Sequence, residues 1–559
     1  MRARVWKTMV VALAAMFPVT VAADDDAYDA SRLEESKQRY PADEGNVTAG
    51  KEVYLKYCAF CHGDKGGGDG GAAPYLDPRP RDFTAGLFKF RSTLTGELPT
   101  DEDLFRIIAR GVTGTAMPAW GEPPAALADE ELWQVVHYLK ELSTEDFADP
   151  DFDPYEEKLE IPPAPAYNPS RVASGRSLYA DEKKGGCVKC HGNEGRGDGK
   201  EAGTQRDDWG DDILPADLTR SWHYKNGSSL VEIFRTLSTG LNGTPMPGYA
   251  ETLSEGERWD LTCYVWSLQV ERRPEAETVL LARKHEGPLP LDPADPFWGQ
   301  QTGIDVPLAG QAVVTPRQVN STINLVTVRA TYNDEEVAFH FTWNDRFKDA
   351  SAESEERWVP ELEGSDSFAR AAEIWARRKR NFADRLQIQF PVKIQEGPTK
   401  PFFFMGGARN KVNLWTWQAD WNEDPAGHHG RVAAERNAAG YNKAPATQEQ
   451  GSQALAGGAL FADGRWQLVL KRPLTTADGK LATQFEPGVF IPFALQAWDG
   501  GNGEEGLLCA ISSWYYVVLE GRIDRAGYLY AFLGVLLTLG GEALVVRRVR
   551  KSDPHLPRH

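Results

Sequence analysis

"CAFCHGDKGGGDG" occupies residues 58–70 and "CVKCHGNEGRGDG" residues 187–199, so a Cys-x-x-Cys-His block with a glycine-rich tail occurs twice in one chain. Their histidines, His62 and His191, stand 129 residues apart. The same offset separates Met117 and Met246, which lie in "LFRIIARGVTGTAMPAW" (104–120) and "IFRTLSTGLNGTPMPGY" (233–249). Each histidine therefore precedes its methionine by 55 residues, and a helical apolar pattern follows each methionine, "DEELWQVVHYLKEL" and "EGERWDLTCYVWSL". This register predicts two homologous domains in tandem, 45–145 and 170–272, joined by an acidic, proline-rich linker at 146–169.

The spacing also selects the chemistry. Two thiols three positions apart on a helical turn can each add to a vinyl group of one porphyrin, and the adjoining histidine then meets the iron. Zinc needs further Cys or His ligands at finger spacing, and none follow within either repeat. A thioredoxin-type pair needs alternating strand and helix patterns, which are absent. Cys58 and Cys61, and Cys187 and Cys190, are thus read as covalent attachment points for two haems c.

These repeats resemble small cytochrome c domains. The resemblance implies a compact helical fold in each, with His62 and Met117 on one iron and His191 and Met246 on the other. His137 and His223 are rival ligands for another redox state, and each reads equally as a packing or surface residue.

Residues 275–525 have a different texture. "INLVTVRATY", "EEVAFHFTW", "RLQIQFPV", "RWQLVLKRPL" and "SWYYVVLE" alternate apolar and polar residues, which predicts an antiparallel β-sandwich. Without its leader the chain keeps three methionines, and the one outside the repeats, Met405, lies in "FFFMGGARNKVNLWTWQAD". That stretch, with the later "DGRWQLVLKRPL", resembles the haem-binding gamma subunits of ethylbenzene dehydrogenase and related molybdenum enzymes of the dimethyl sulfoxide reductase family. The resemblance implies one haem b, held between Met405 and Lys471. A lysine ligates only as the free amine, which at neutral pH costs about 4 to 5 kcal/mol from a reference pKa near 10.4. His340 is the alternative partner for Met405. The Ala/Gly-rich stretch around 423–459 reads as a surface insertion. Cys263 and Cys509 are left over, either as a disulfide between the second and third domains or as two buried thiols.

The termini predict export and anchoring. Arg2, Arg4 and Lys7 precede an apolar run and small residues near Ala23, so residues 1–23 read as a signal peptide. "YLYAFLGVLLTLGGEALVV" (528–546) is long enough to cross a bilayer and is followed by "RRVRK". The expectation is a transmembrane helix at 526–546, a cytoplasmic tail at 547–559, and a body on the periplasmic side of the inner membrane. Removing the leader's three cations takes the formal charge from −19 to −22, which argues against nucleic-acid binding.

Iron capped on both axial faces favours electron transfer over binding of a reactant. The chain is therefore read as an anchored cytochrome passing electrons between a partner and the respiratory chain. The resemblances imply periplasmic molybdopterin oxidoreductase subunits or a soluble cytochrome as that partner. The alternative is a dihaem redox enzyme, a peroxidase or a sulfur-compound oxidase, with one exchangeable ligand; a haem-based sensor lacks an output domain.

Overall fold

The structure, a computed structural model, describes residues 30–521 except 77, 124–125, 144–146, 148–152, 270–276, 319–320, 352–357, 359–381, 395–399, 429 and 478, together with Thr538. The first helical unit contains α1 Ala30–Arg39, α2 Glu44–Tyr57, α3 Ala59–His62, α4 Asp101–Arg110 and α5 Asp129–Leu142. The second contains α6 Pro169–Ala180, α7 Val188–His191, α8 Leu230–Thr239 and α9 Glu255–Ser267.

Local sequence sets the helix starts. Asp43 accepts the N–H of Asn46 to open α2, and Asn168 accepts that of Arg171 to open α6. Thr100 with Asp103, Ser229 with Glu232 and Ser254 with Glu257 form reciprocal boxes at α4, α8 and α9. In each unit the first long helix crosses the last, and the crossing point is a glycine. A Cβ on Gly50 would stand 1.8 Å from the Gln134 carbonyl oxygen, and one on Gly175 would stand 2.0 Å from that of Asp260. Gly50→Ala and Gly175→Ala gain about 1 kcal/mol of helix propensity but must push backbone against backbone. The expected net loss is about 1–3 kcal/mol each, seen as a lower denaturation midpoint; an unchanged or higher midpoint would show that the helices are not in contact there.

Within the acidic, proline-rich stretch, residues 157–159 are tied to the first unit. Leu94 N–H donates to Glu157 O at 3.1 Å and Leu159 N–H to Ser92 O at 2.9 Å, so these residues lie back along the first unit.

The remaining chain forms β1 Val279–Lys284, β2 Gly303–Pro307, β3 Ala309–Gly310, β4 Leu325–Tyr332, β5 Glu336–Asn344, β6 Arg385–Pro391, β7 Val412–Gln418, β8 Ala433–Ala438, β9 Ala446–Thr447, β10 Ala456–Ala462, β11 Arg465–Pro473, β12 Phe490–Trp498, β13 Ala510–Ile511 and β14 Tyr515–Leu519. They join in one sheet, ordered β10-β11-β5-β4-β1-β14-β12-β6-β7-β8-β9, with β2, β3 and β13 attached to its side. The sheet is folded over on itself. Phe339 of β5 meets Trp415 of β7 at 5.7 Å between ring centres, and Trp343 meets Trp417 at 5.8 Å, although many strands separate these pairs in the sheet.

The third domain is a large mixed sheet rather than an antiparallel β-sandwich, because β1 runs parallel to both neighbours, β14 and β4. Alternation reports which face a side chain takes and is blind to strand direction. Likewise, among the described residues no helix is long and apolar enough to cross a membrane. The single-pass placement with a cytoplasmic C-terminus therefore has no structural support. The stretches behind it, the signal at 1–23, the span at 526–546 and the tail at 547–559, lie outside the described residues apart from Thr538.

Candidate functional site

Each Cys-x-x-Cys-His block forms a single tight turn. Cys61 N–H and His62 N–H both return to Cys58 O, at 3.1 and 2.9 Å, and Cys190 and His191 do the same to Cys187 O at 3.2 and 2.8 Å. None of the four cysteines is in a disulfide, so each pair is available for thioether bonds. Burial raises Cys58 to about 12 and Cys187 to about 11, so neither is poised as a reactive thiolate.

The glycine-rich tails have a mechanical use. Gly68 and Gly197 adopt φ of 70° and 80°, which admits glycine, and donate their N–H groups to His62 O and His191 O, both at 2.9 Å. Tyr54 and Tyr179 add a hydroxyl donor to Gly63 O and Gly192 O, both at 2.7 Å. The histidine backbone is thereby held from two sides.

The histidine rings are oriented by backbone carbonyls. His62 Nδ1 lies 3.0 Å from Arg81 O, and His191 Nδ1 lies 3.0 Å from Ala216 O. A proton on Nδ1 leaves Nε2 with its lone pair free, as an iron ligand requires. Burial lowers both pKa values, which keeps the imidazoles neutral and able to ligate. The carbonyls come from a second repeat, "PRDFT" at 80–84 and "PADLT" at 215–219. There Asp82 accepts the Thr84 N–H at 2.8 Å and Asp217 accepts the Thr219 N–H at 2.9 Å. Phe83 and Leu218 then donate N–H to Gly66 O and Gly195 O, at 2.7 and 2.6 Å, tying each turn to its glycine tail.

The methionine loops match as well. Val112 N–H donates to Met117 O and Leu241 N–H to Met246 O, both at 3.1 Å. The hydroxyls of Thr115 and Thr244 accept the N–H of Met117 and Met246, at 3.1 and 3.3 Å.

The second set converges on one space. Cys187, Cys190, His191 and Met246 all line a cavity of about 1310 Å³. It exceeds the roughly 300–1,000 Å³ of an ordinary ligand pocket, and extends to Arg81 and Lys89 of the first unit. Burial, then the charges of Lys225 and Arg81, depress the Lys89 ammonium to about 7. Arg81, Lys89 and Lys225 all line this cavity and could meet the carboxylate arms of a porphyrin. The residues present therefore fit a covalently attached haem: a thiol pair, a neutral imidazole with free Nε2, a thioether and cations at the rim. Arg81 also bridges the two units, since its carbonyl orients His62 while its guanidinium sits 4.3 Å over the Trp209 ring. His137 is a packing residue, 2.9 Å from Tyr40 O, and His223 meets Asn324 at 3.2 Å where the second unit touches the sheet.

The third domain does not bring its candidate ligands together. Met405, at φ 63°, is fully buried on the outer side of β6, β7 and β12, with its N–H on Gln389 Oε1 at 2.8 Å and its sulfur 3.8 Å from Gln387 Nε2. Lys471 lies on β11, where Trp466, Leu468 and Leu470 face the core and Lys471 faces away. Its ammonium is 3.0 Å from both Glu336 Oε1 and Leu289 O. The aromatic core separates the two residues, so this pair does not fit one haem. His340 shares the Lys471 side of the sheet, stacked on Trp298 at 5.0 Å, with Nε2 3.2 Å from Pro293 O. Cys263 and Cys509 are buried free thiols and form no disulfide.

His340 does carry a pH dependence. Burial, then the charge of Arg329, lowers its pKa to about 4, and its buried Nδ1 has no hydrogen-bond partner. The folded chain holds the ring neutral where the unfolded chain, near 6.5, takes up a proton. Stability therefore falls as pH drops from 6.5 towards 4, by up to about 3 kcal/mol. Denaturant midpoints measured across that window should fall less steeply in His340→Phe; identical slopes would contradict the assignment.

Three stretches of the chain match known protein families. Residues 45–139 match the family of cytochrome c oxidase, cbb3-type, subunit III, residues 172–269 match cytochrome c, and residues 295–456 match ethylbenzene dehydrogenase. A protein of Haloferax mediterranei assigned as a respiratory nitrate reductase haem subunit is 23% identical over 41% of this chain and 67% of its own length. The chlorate reductase gamma subunit of Ideonella dechloratans is 30% identical over 24% of this chain, which spans about half (49%) of that subunit. A chain from the reducing HAO-like protein complex of Kuenenia stuttgartiensis is 42% identical, covering 41% of this chain and 99% of that one, at a TM-score of 0.38. The chain thus consists of two cytochrome c domains followed by a domain of the ethylbenzene dehydrogenase gamma type.

Proposed function

We propose that the chain is the electron-transfer subunit of an oxidoreductase complex, working through two haems c. One is attached at Cys58 and Cys61 with His62 and Met117 as axial ligands, the other at Cys187 and Cys190 with His191 and Met246. The observation that carries this reading is the duplicate support of the two histidines, each ring held through Nδ1 by a backbone carbonyl so that Nε2 is free. When bound, each haem supplies one-electron chemistry at its iron. The protein's part is to fix the imidazoles, enclose the thioether loops and line a shared space that reaches from the second unit to the first.

The relatives named as nitrate and chlorate reductase subunits support a reductase or dehydrogenase as the partner, and the ethylbenzene dehydrogenase likeness points to one of the molybdopterin class in the periplasm. That likeness also suggests a haem b for the third domain, held by a set other than Met405 with Lys471.

Carbon monoxide tests the distinction from an enzyme. With methionine on each iron, the reduced protein at neutral pH should show no shift in its absorption bands on exposure to the gas. A rapid, stoichiometric shift would reveal an open coordination position and favour a peroxidase-type or sulfur-compound oxidising reaction.

A further inference from the structure

Where the sheet faces the second cytochrome domain, three carboxylates from separate strand ends converge. Asp345 directly follows β5, Asp384 directly precedes β6 and Asp499 directly follows β12, and one oxygen of each lies within 4.8 Å of the others. Two of the three are well supplied with donors. Asp384 accepts Gly500 N–H at 3.0 Å on one oxygen, and Asp349 N–H at 2.9 Å and Trp466 Nε1–H at 3.0 Å on the other. Asp499 accepts Asn502 N–H at 3.1 Å and the hydroxyl of Thr322.

Asp345 is not so supplied. The residue is 6% exposed; its Oδ1 takes Phe347 N–H at 3.3 Å, while its Oδ2 is shielded from solvent and has no hydrogen-bond partner. A buried anionic oxygen without a donor is strongly unfavourable unless a cation or a proton meets it. The charged neighbours that weigh on Asp345 are Asp384, Asp499 and Asp349, all carboxylates, and burial together with their repulsion holds Asp345 well above the ordinary range.

We propose that Asp345, Asp384 and Asp499 bind one divalent cation of the calcium type. Calcium takes oxygen ligands at about 2.3–2.6 Å, so oxygens on opposite sides of it stand about 4.6–5.2 Å apart. A group confined within 4.8 Å can therefore reach a single ion together. Carboxylates drawn from three separate strand ends suit the larger, more adaptable ion better than magnesium, which demands near-ideal octahedral geometry. Asp345 and Asp499 also line the cavity that holds His191, which gives an ion a way in. The end of β5 touches the haem-supporting turn directly, since Asn344 Nδ2 donates to Asp217 Oδ2 at 2.6 Å, next to the Ala216 carbonyl that orients His191. The cation would therefore brace the seam between the sheet and the second domain.

The test uses the full chain with its haems in place. The protein is stripped with EDTA, desalted, and titrated with calcium chloride alone by calorimetry; thermal unfolding is followed with and without the ion. The expected result is one calcium per chain, a higher unfolding temperature with calcium than with equal magnesium, and loss of both effects in Asp345→Asn with the wild-type haem absorbance intact. Asp499→Asn gives the same comparison if Asp345→Asn does not fold. No calcium uptake by the wild type at millimolar concentration would overturn the proposal and leave a proton shared among the carboxylates. Full uptake by a folded variant, or a preference for magnesium, would overturn it as well.

Discussion

Serine at both Cys187 and Cys190 should halve the covalent haem of the chain, from the proposed two per polypeptide to one. Those thiols are the only covalent link available to a porphyrin in the second unit, because Cys263 is buried in α9 and does not line the cavity. The cavity they line with His191 and Met246 is about 1310 Å³. Without its haem the surrounding residues Ile233, Leu237, Tyr249 and Val265 lose the surface they are placed to cover, so the second unit should also unfold earlier than the first. Pyridine haemochrome absorbance per chain, with intact mass measured alongside, checks the count. Cys58→Ser with Cys61→Ser should give the complementary result, and retention of two covalent haems in either double variant would contradict the assignment.

Arg472→Met lowers stability by about 3–5 kcal/mol, the effect of leaving one half of a buried ion pair without its partner. Arg472 and Glu435 face each other at 2.7 Å across the folded sheet, β11 against β8, and both side chains are fully buried. The guanidinium is further held by Asn413 and Thr483 O and lies 5.1 Å over the Trp415 ring. Removing it strands the Glu435 carboxylate in the aromatic core. Changing both, Arg472→Met with Glu435→Gln, removes the uncompensated charge and should recover most of the loss. Urea unfolding of the single and double variants checks this. A single variant as stable as wild type would mean that the pair is not enclosed.

How much of this was legible in the sequence depends on the range of the interaction. The duplicated blocks at 58–62 and 187–191 and the methionines 55 residues on are local patterns at fixed spacing, and they supply the ligand sets proposed for the two haems. The turns that orient the histidines repeat too, as "PRDFT" and "PADLT", but 135 residues apart instead of 129. That change of offset hides them from a search in one register. Tyr54 and Tyr179 are masked in the same way, at 125 residues. In the third domain alternation marked the strands and failed on their assembly. "KRPL" directs attention to Lys471, yet the pleat turns that lysine outward to Glu336 and sends Arg472 into the core. The Ala/Gly-rich stretch read as a surface insertion supplies β8, which pairs antiparallel with β7 and carries the Glu435 that meets Arg472. Neither outcome is decided by neighbours in the sequence; both depend on which strands meet when the sheet closes.

A pyridine haemochrome spectrum of the purified protein decides whether both repeats carry a thioether-bound haem. Two haems c per chain is the predicted result, whatever the third domain contributes as haem b. A single haem c, or a protein without covalent haem, would contradict it.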